Sequence, residues 1–127
     1  NHIIFIEGDF FSMDFSDIRL PADEQTALTF HFYPTVWDKN LCDKDYDARE
    51  RVRKMDEQLA GFAALRDKFG RPALCGEAGV DIKKDDLPFT MQLLDETLGL
   101  FQKHGLSWTL WSYQGTLVAL RADGRCG

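Results

Sequence analysis

Four stretches of this chain are apolar almost from end to end, and two long amphipathic stretches lie among them. That alternation constrains the fold more than any other feature. "HIIFIE" (residues 2–7) is β-branched and aromatic and stops at Gly8. "ALTFHFYP" (27–34) closes at Pro34, and "RPALCGE" (71–77) and "LSWTLWSY" (106–113) complete the set. Each reads as a buried strand, the pattern of a parallel sheet rather than an antiparallel one. Residues 48–69 carry Val52, Met55, Leu59 and Phe62 at three- and four-residue steps, with Phe69 farther along the same face. Gly70 suits the position just past the end of that helix. Residues 87–104 predict a second helix, with Asp86 as N-cap, Pro88 in the first turn, Met91, Leu94, Leu98 and Phe101 as the apolar stripe, and Gly105 as the stop. The order strand, loop, strand, helix, strand, helix, strand predicts an α/β protein whose parallel sheet is covered by helices. The first connection, "GDFFSMDFSDIRLPADEQT", is expected to hold only a short or irregular helix, with Phe10, Phe11 and Phe15 packed beneath the loop. The tail, "GTLVALRADGRCG", has no single reading. An open doubly wound sheet and part of a (β/α)8 barrel both fit this order. No glycine-rich phosphate-binding turn follows any strand, which weighs against a nucleotide-binding version.

The chain has 127 residues, the length of one ordinary domain, and its 44% hydrophobic content is too high for disorder. A net charge of −6 argues against a nucleic-acid partner, because the basic residues are interleaved with acidic ones, as in "ARERVRKMDEQ". No apolar run approaches the ~20 residues that a membrane-spanning helix needs, so no membrane partner is expected. Cys42, Cys75 and Cys126 form no CxxC pair and stand near no histidine at ligand spacing, so no metal is expected. Cys75 reads as a small buried hydrophobe. The chain opens inside a strand-like run, and its compartment is not written in these residues.

Polar and aromatic side chains gather where the predicted strands end. The first ends in Glu7 and Asp9, the second carries His31 and Tyr33 at alternate positions and so on one side, the third ends in Glu77, and the fourth in Trp111 and Tyr113. In parallel α/β folds the C-terminal ends of the strands form the functional face. Carboxylates, an imidazole, a phenol and an indole at one mouth suit a sugar, since carboxylates perform the bond chemistry and an aromatic plane packs on a pyranose ring. Taken singly, each residue has a plainer explanation. Glu77 could be an ion-pair partner, His31 a core histidine, Tyr33 and Trp111 core aromatics, and Glu7 a strand-end hydrogen bonder. Gly76 and Gly79 beside Glu77 favour the functional reading, because they let backbone and ligand approach closely.

"HFYP", "RPALCGEAG" and "SWTLWSYQG", in that order and preceded by "NHIIFIEGD", resemble the second half of a clan A glycoside hydrolase, most closely the cellulase-like glycoside hydrolase family 5. The resemblance runs from residue 1 to about residue 115. It implies a (β/α)8 TIM barrel of which residues 1–127 hold strands five to eight, the C-terminal half of the catalytic domain. It also implies retaining hydrolysis of O-glycosidic bonds in a β-linked glucan or related polysaccharide, with no cofactor. In this likeness Glu77 matches the nucleophile, Tyr33 the tyrosine that supports it, and His31 the histidine that contacts the sugar or orients the acid/base network. Trp111 matches the aromatic floor of the subsite that holds the reacting sugar. Glu7 has no firm catalytic counterpart and stands as a substrate-binding candidate. The family's general acid/base is a glutamate that follows an asparagine, and this chain contains no Asn-Glu pair. The expectation is therefore a fragment of a longer enzyme, with little activity alone and a need for the missing N-terminal half-barrel or for self-association to cover its open sheet. Secretion is favoured by the resemblance alone. Two rivals stand beside this reading: a non-catalytic carbohydrate-binding protein on the same scaffold, and an unrelated open α/β domain in which Glu77 is structural. Cellulose, mixed-linkage glucan, mannan and glycolipid all remain candidate substrates.

Overall fold

A computed structural model describes residues 2–80 and 86–111. The strands β1 (Ile4–Glu7), β2 (Thr26–Phe32), β3 (Ala73–Ala78) and β4 (Ser107–Leu110) form one sheet in the order β1-β2-β3-β4, and every neighbouring pair is parallel. Single helical turns α1 (Asp9–Ser12) and α2 (Pro34–Trp37), a 3-10 turn at Lys39–Cys42, and the long helices α3 (Ala48–Phe69) and α4 (Leu87–His104) make the connections. Parallel order brings all four strand C-termini to one edge of the sheet.

The long helices start and stop where their caps dictate. The Asp47 side chain accepts hydrogen bonds from the Arg49 and Glu50 amides, and Gly70 closes α3 in the left-handed conformation at φ 60°. Asp86 accepts from the Phe89 amide to open α4, and Gly105 closes it. Helix α3 buries Met55, Leu59, Phe62 and Ala63 against Leu28, Phe30 and Phe32 of β2 and Cys75 and Ala78 of β3. Phe30 stacks on Phe62 with ring centroids 4.0 Å apart, and Phe32 meets Phe101 of α4 edge-on at 5.5 Å. Each side chain buried this fully stabilises the fold by about 1.5–3 kcal/mol.

Three expectations need correction. The buried stripe of α4 is Phe89, Thr90, Leu93, Thr97, Leu100 and Phe101, whereas Met91 is exposed and Leu94 and Leu98 lie on the flank. Threonines can occupy a buried stripe because each hydroxyl bonds back to a carbonyl one turn earlier, Thr90 to Asp86 at 3.2 Å and Thr97 to Leu93 at 2.7 Å. Next, β1 is not buried: Ile3, Ile4 and Phe5 are exposed along an edge of the described sheet. Finally, of the first loop's phenylalanines only Phe15 enters the core, against Phe62, while Phe10 and Phe11 are 68% and 64% exposed. Those two sit in α1 at positive φ (51° and 55°), in a turn where both residues are largely exposed.

One buried ion pair ties α3 to α4. Arg51, 1% exposed, donates from Nε and Nη2 to the two oxygens of Glu96 at 2.8 and 3.0 Å, and its guanidinium lies 5.2 Å from the centre of the Phe89 ring. Among the described residues its Nη1 has no hydrogen-bond partner. Removing Glu96 would leave a buried cation without its counter-ion. Glu96→Ala should therefore lower the unfolding free energy by about 3–5 kcal/mol in a urea titration, with Glu96→Gln costing less.

Candidate active site

The side chains that face the helices fix which way everything else points. Phe30 and Phe32 of β2 pack on the helix layer, so Thr29, His31 and then Tyr33 take the opposite face of the sheet. In β3 the helix-facing residues are Cys75 and Ala78, three apart rather than two. The register explains how. Phe30 pairs with Cys75, but His31 pairs with Glu77, so Gly76 has no partner on β2. On the other side, Cys75 pairs with Trp108 and Ala78 with Leu110, so Gly76 and Glu77 together stand opposite Thr109. This is a β-bulge, and it places two consecutive residues on the open face. Only glycine fits the first of them, because a Cβ there would come within 2.5 Å of Thr29 Oγ1. The second is Glu77, which strict alternation would have put on the same side as Cys75.

At this point three of the candidate residues meet. Tyr33 Oη donates to Glu77 Oε2 at 3.0 Å, and His31 Nδ1 lies 3.6 Å from the same oxygen. The His31 and Tyr33 rings are edge-to-face at 6.5 Å. Among the described residues Oε1 of Glu77 accepts no hydrogen bond, and the side chains of His31 and Glu77 keep 19% and 30% of their surface open. A carboxylate held through one oxygen, with 30% of its side-chain surface open, is an arrangement suited to nucleophilic attack or to binding a hydroxyl-rich ligand. Burial, followed by the hydrogen bond to Glu77, raises the Tyr33 phenol above its usual value, so it remains a neutral donor throughout the physiological range. The linkage sign follows: an unfolded chain loses this proton near pH 10 while the folded one keeps it. The Tyr33 contribution to stability is complete below pH 10 and declines above it. Tyr33→Phe should therefore show a shallower loss of stability than the parent between pH 9 and 11 in urea titrations.

The other candidates are placed less closely. Trp111 follows β4, its amide donates to the Ala78 carbonyl at 2.9 Å, and its side chain is 53% exposed. Glu7 ends β1 opposite Thr29 and is exposed. Among the described residues neither side chain is hydrogen-bonded to the Glu77 cluster. Asp9 bridges to Asp14 in the turn beyond β1, and Tyr113 lies outside the described residues. The Cys75 thiol donates to the Glu77 carbonyl at 3.1 Å, and burial pushes it up to about 12, so it is a neutral prop and not a nucleophile. Thr29 and Thr109, which flank the bulge, escaped sequence reasoning because no pattern of residue types reveals a register shift. No three His, Cys, Asp or Glu side chains among the described residues are grouped as metal ligands. A groove of about 490 Å³ lies at the other end of the sheet, lined by Ile3, Phe5, Ala27 and Leu74. It is apolar and remote from the strand C-termini.

The parallel sheet and the helices that cover it are found again in solved structures of known proteins. The cellulose synthase subunit Z of Clostridioides difficile is 15% identical, with a TM-score of 0.74 over 93% of this chain and 44% of its own. Cel5A of Thermotoga maritima, solved in complex with mannotriose, is 16% identical, with a TM-score of 0.75 over 96% of this chain and 44% of its own. A broad-specificity endoglucanase from Clostridium cellulovorans is 17% identical, with a TM-score of 0.71 over 95% and 39%. These likenesses define the fold as that of a (β/α)8 barrel, and the chain spans less than half the length of these structures. No curated protein matches the chain. Residues 1–116 match the profile of the cellulases, glycosyl hydrolase family 5, and the chain belongs to that family.

Proposed function

We propose that Glu77 is the nucleophile of a retaining β-glycosidase. The observation that supports this best is the bulge that brings Glu77 level with His31 and into hydrogen-bond contact with Tyr33. In the proposed first step Glu77 Oε1 bonds to the anomeric carbon as the C1–O bond breaks, and the leaving oxygen departs with the electron pair and takes a proton from a general acid. Water then displaces the glutamate from C1, with the same acid acting as base. Tyr33 holds Oε2 so that Oε1 points outward, His31 contacts the sugar, Trp111 offers its plane to the ring, and Glu7 serves as a polar contact. The general acid belongs to the part of the family fold that this chain does not span. By itself the chain is then expected to turn over soluble β-glucan slowly or not at all. A β-linked glucan or mannan is the favoured substrate class, given that solved relatives include endoglucanases and an enzyme holding mannotriose.

Among the described residues the recorded side-chain partners of Glu77 are Tyr33 and His31 and not a second carboxylate, which favours one alternative, carbohydrate binding without catalysis. A reagent that needs no acid separates the two. The 2,4-dinitrophenyl glycoside of 2-deoxy-2-fluorocellobiose has a leaving group good enough to depart unprotonated, while the fluorine slows release of the glycosyl-enzyme. Mass spectrometry should find the fluorocellobiosyl group on the peptide containing Glu77. Saturable binding of cello-oligosaccharide with no adduct would favour the binding protein.

A further inference from the structure

We propose that Thr109 is a positioning residue for Glu77, an inference that rests on the nucleophile reading above. A bulge interrupts the ladder, so its carbonyls need donors from elsewhere. Thr109, on β4, supplies one: its hydroxyl donates to the Gly76 carbonyl and lies 3.5 Å from the Cys75 carbonyl. From β2, Thr29 Oγ1 fills the place where a side chain on Gly76 would stand. From below, the Cys75 thiol takes the Glu77 carbonyl. Side chains from three strands thus hold the two peptide units that set the direction of the Glu77 Cα–Cβ bond.

Among these, Thr109 is the one whose chemistry packing does not explain. It is exposed and contributes nothing to the core. Valine has nearly the same shape and is as good a strand former, so stability of β4 does not call for a hydroxyl there. What the hydroxyl adds is a fixed orientation of the Gly76 carbonyl, and through it a fixed distance from Glu77 to Tyr33. Small misplacements of a reacting group are costly, so loss of this bond should slow attack by roughly 10- to 100-fold.

The test compares Thr109→Val, which deletes only the hydroxyl, with Thr109→Ser, which retains it. Two readouts are taken on the whole chain. One is the rate of labelling by the dinitrophenyl fluorocellobioside. The other is the NMR signal of 13Cζ-labelled Tyr33 near the pH where a free phenol titrates, which reports its bond to Glu77 without any sugar. The valine variant should label roughly 10- to 100-fold more slowly and show Tyr33 ionising closer to a free phenol. The serine variant should restore both, and thermal unfolding of the two variants should coincide. An unchanged Tyr33 signal in Thr109→Val, or equal slowing by valine and serine, would overturn the proposal. If the parent chain gains no adduct, the nucleophile reading falls, yet the Tyr33 signal still decides whether Thr109 orients the carboxylate.

Discussion

Glu77→Gln should take up no fluorocellobiosyl group under conditions that label the parent chain. The amide oxygen is a poor nucleophile and cannot form the glycosyl ester, so the loss is one of chemistry rather than of folding. In any assembly that supplies the acid, the same change should reduce turnover roughly 10,000-fold or more. The structure keeps the control simple. Tyr33 Oη can donate to the glutamine carbonyl as it does to Oε2, and the side chain is only half-buried. The unfolding free energy should therefore move by less than about 1 kcal/mol. Labelling that persists in the variant would exclude Glu77 as the nucleophile and turn attention to Glu7.

Gly76→Ala should produce the second-largest effect, and by a different route. The new methyl would stand 2.5 Å from Thr29 Oγ1, and Thr29 is buried with a stiff, β-branched side chain that has little freedom to turn its hydroxyl away. Overpacking of this kind costs about 1–3 kcal/mol. The bulge would also shift, and Glu77 with it, slowing labelling by roughly 10- to 100-fold. A double-mutant cycle makes the cause visible. Thr29→Ala should be mildly destabilising alone, yet in combination with Gly76→Ala it should recover most of the lost stability and labelling rate. Simple additivity would show that the two positions do not compete for space.

Much of the scaffold could be read from residues alone. Helices α3 and α4 begin and end where predicted, and Asp86, Gly70 and Gly105 mark three of the four ends in the sequence as they do in the structure. The placement of His31 and Tyr33 on one face needed nothing beyond the two-residue period of a strand. Other features depended on facts that composition does not carry. The α4 stripe was misread because Thr90 and Thr97 look polar but satisfy their hydroxyls within the helix. The exposure of Ile3, Ile4 and Phe5 reflects the position of β1 at an edge of the described sheet, which a hydrophobic run cannot announce. The direction of Glu77 depends on one unpaired residue, and periodicity applied without it gives the opposite face.

That unpaired residue also separates chemistry from scaffold. Cys75 and Ala78 pin β3 to the helix layer on either side, leaving Gly76 and Glu77 as a two-letter cassette turned wholly toward the open face. Such a strand can exchange its reactive group while its grip on the core is left intact. New specificities or activities could thus arise at position 77, with Gly76 kept, by substitutions that the rest of the molecule barely registers.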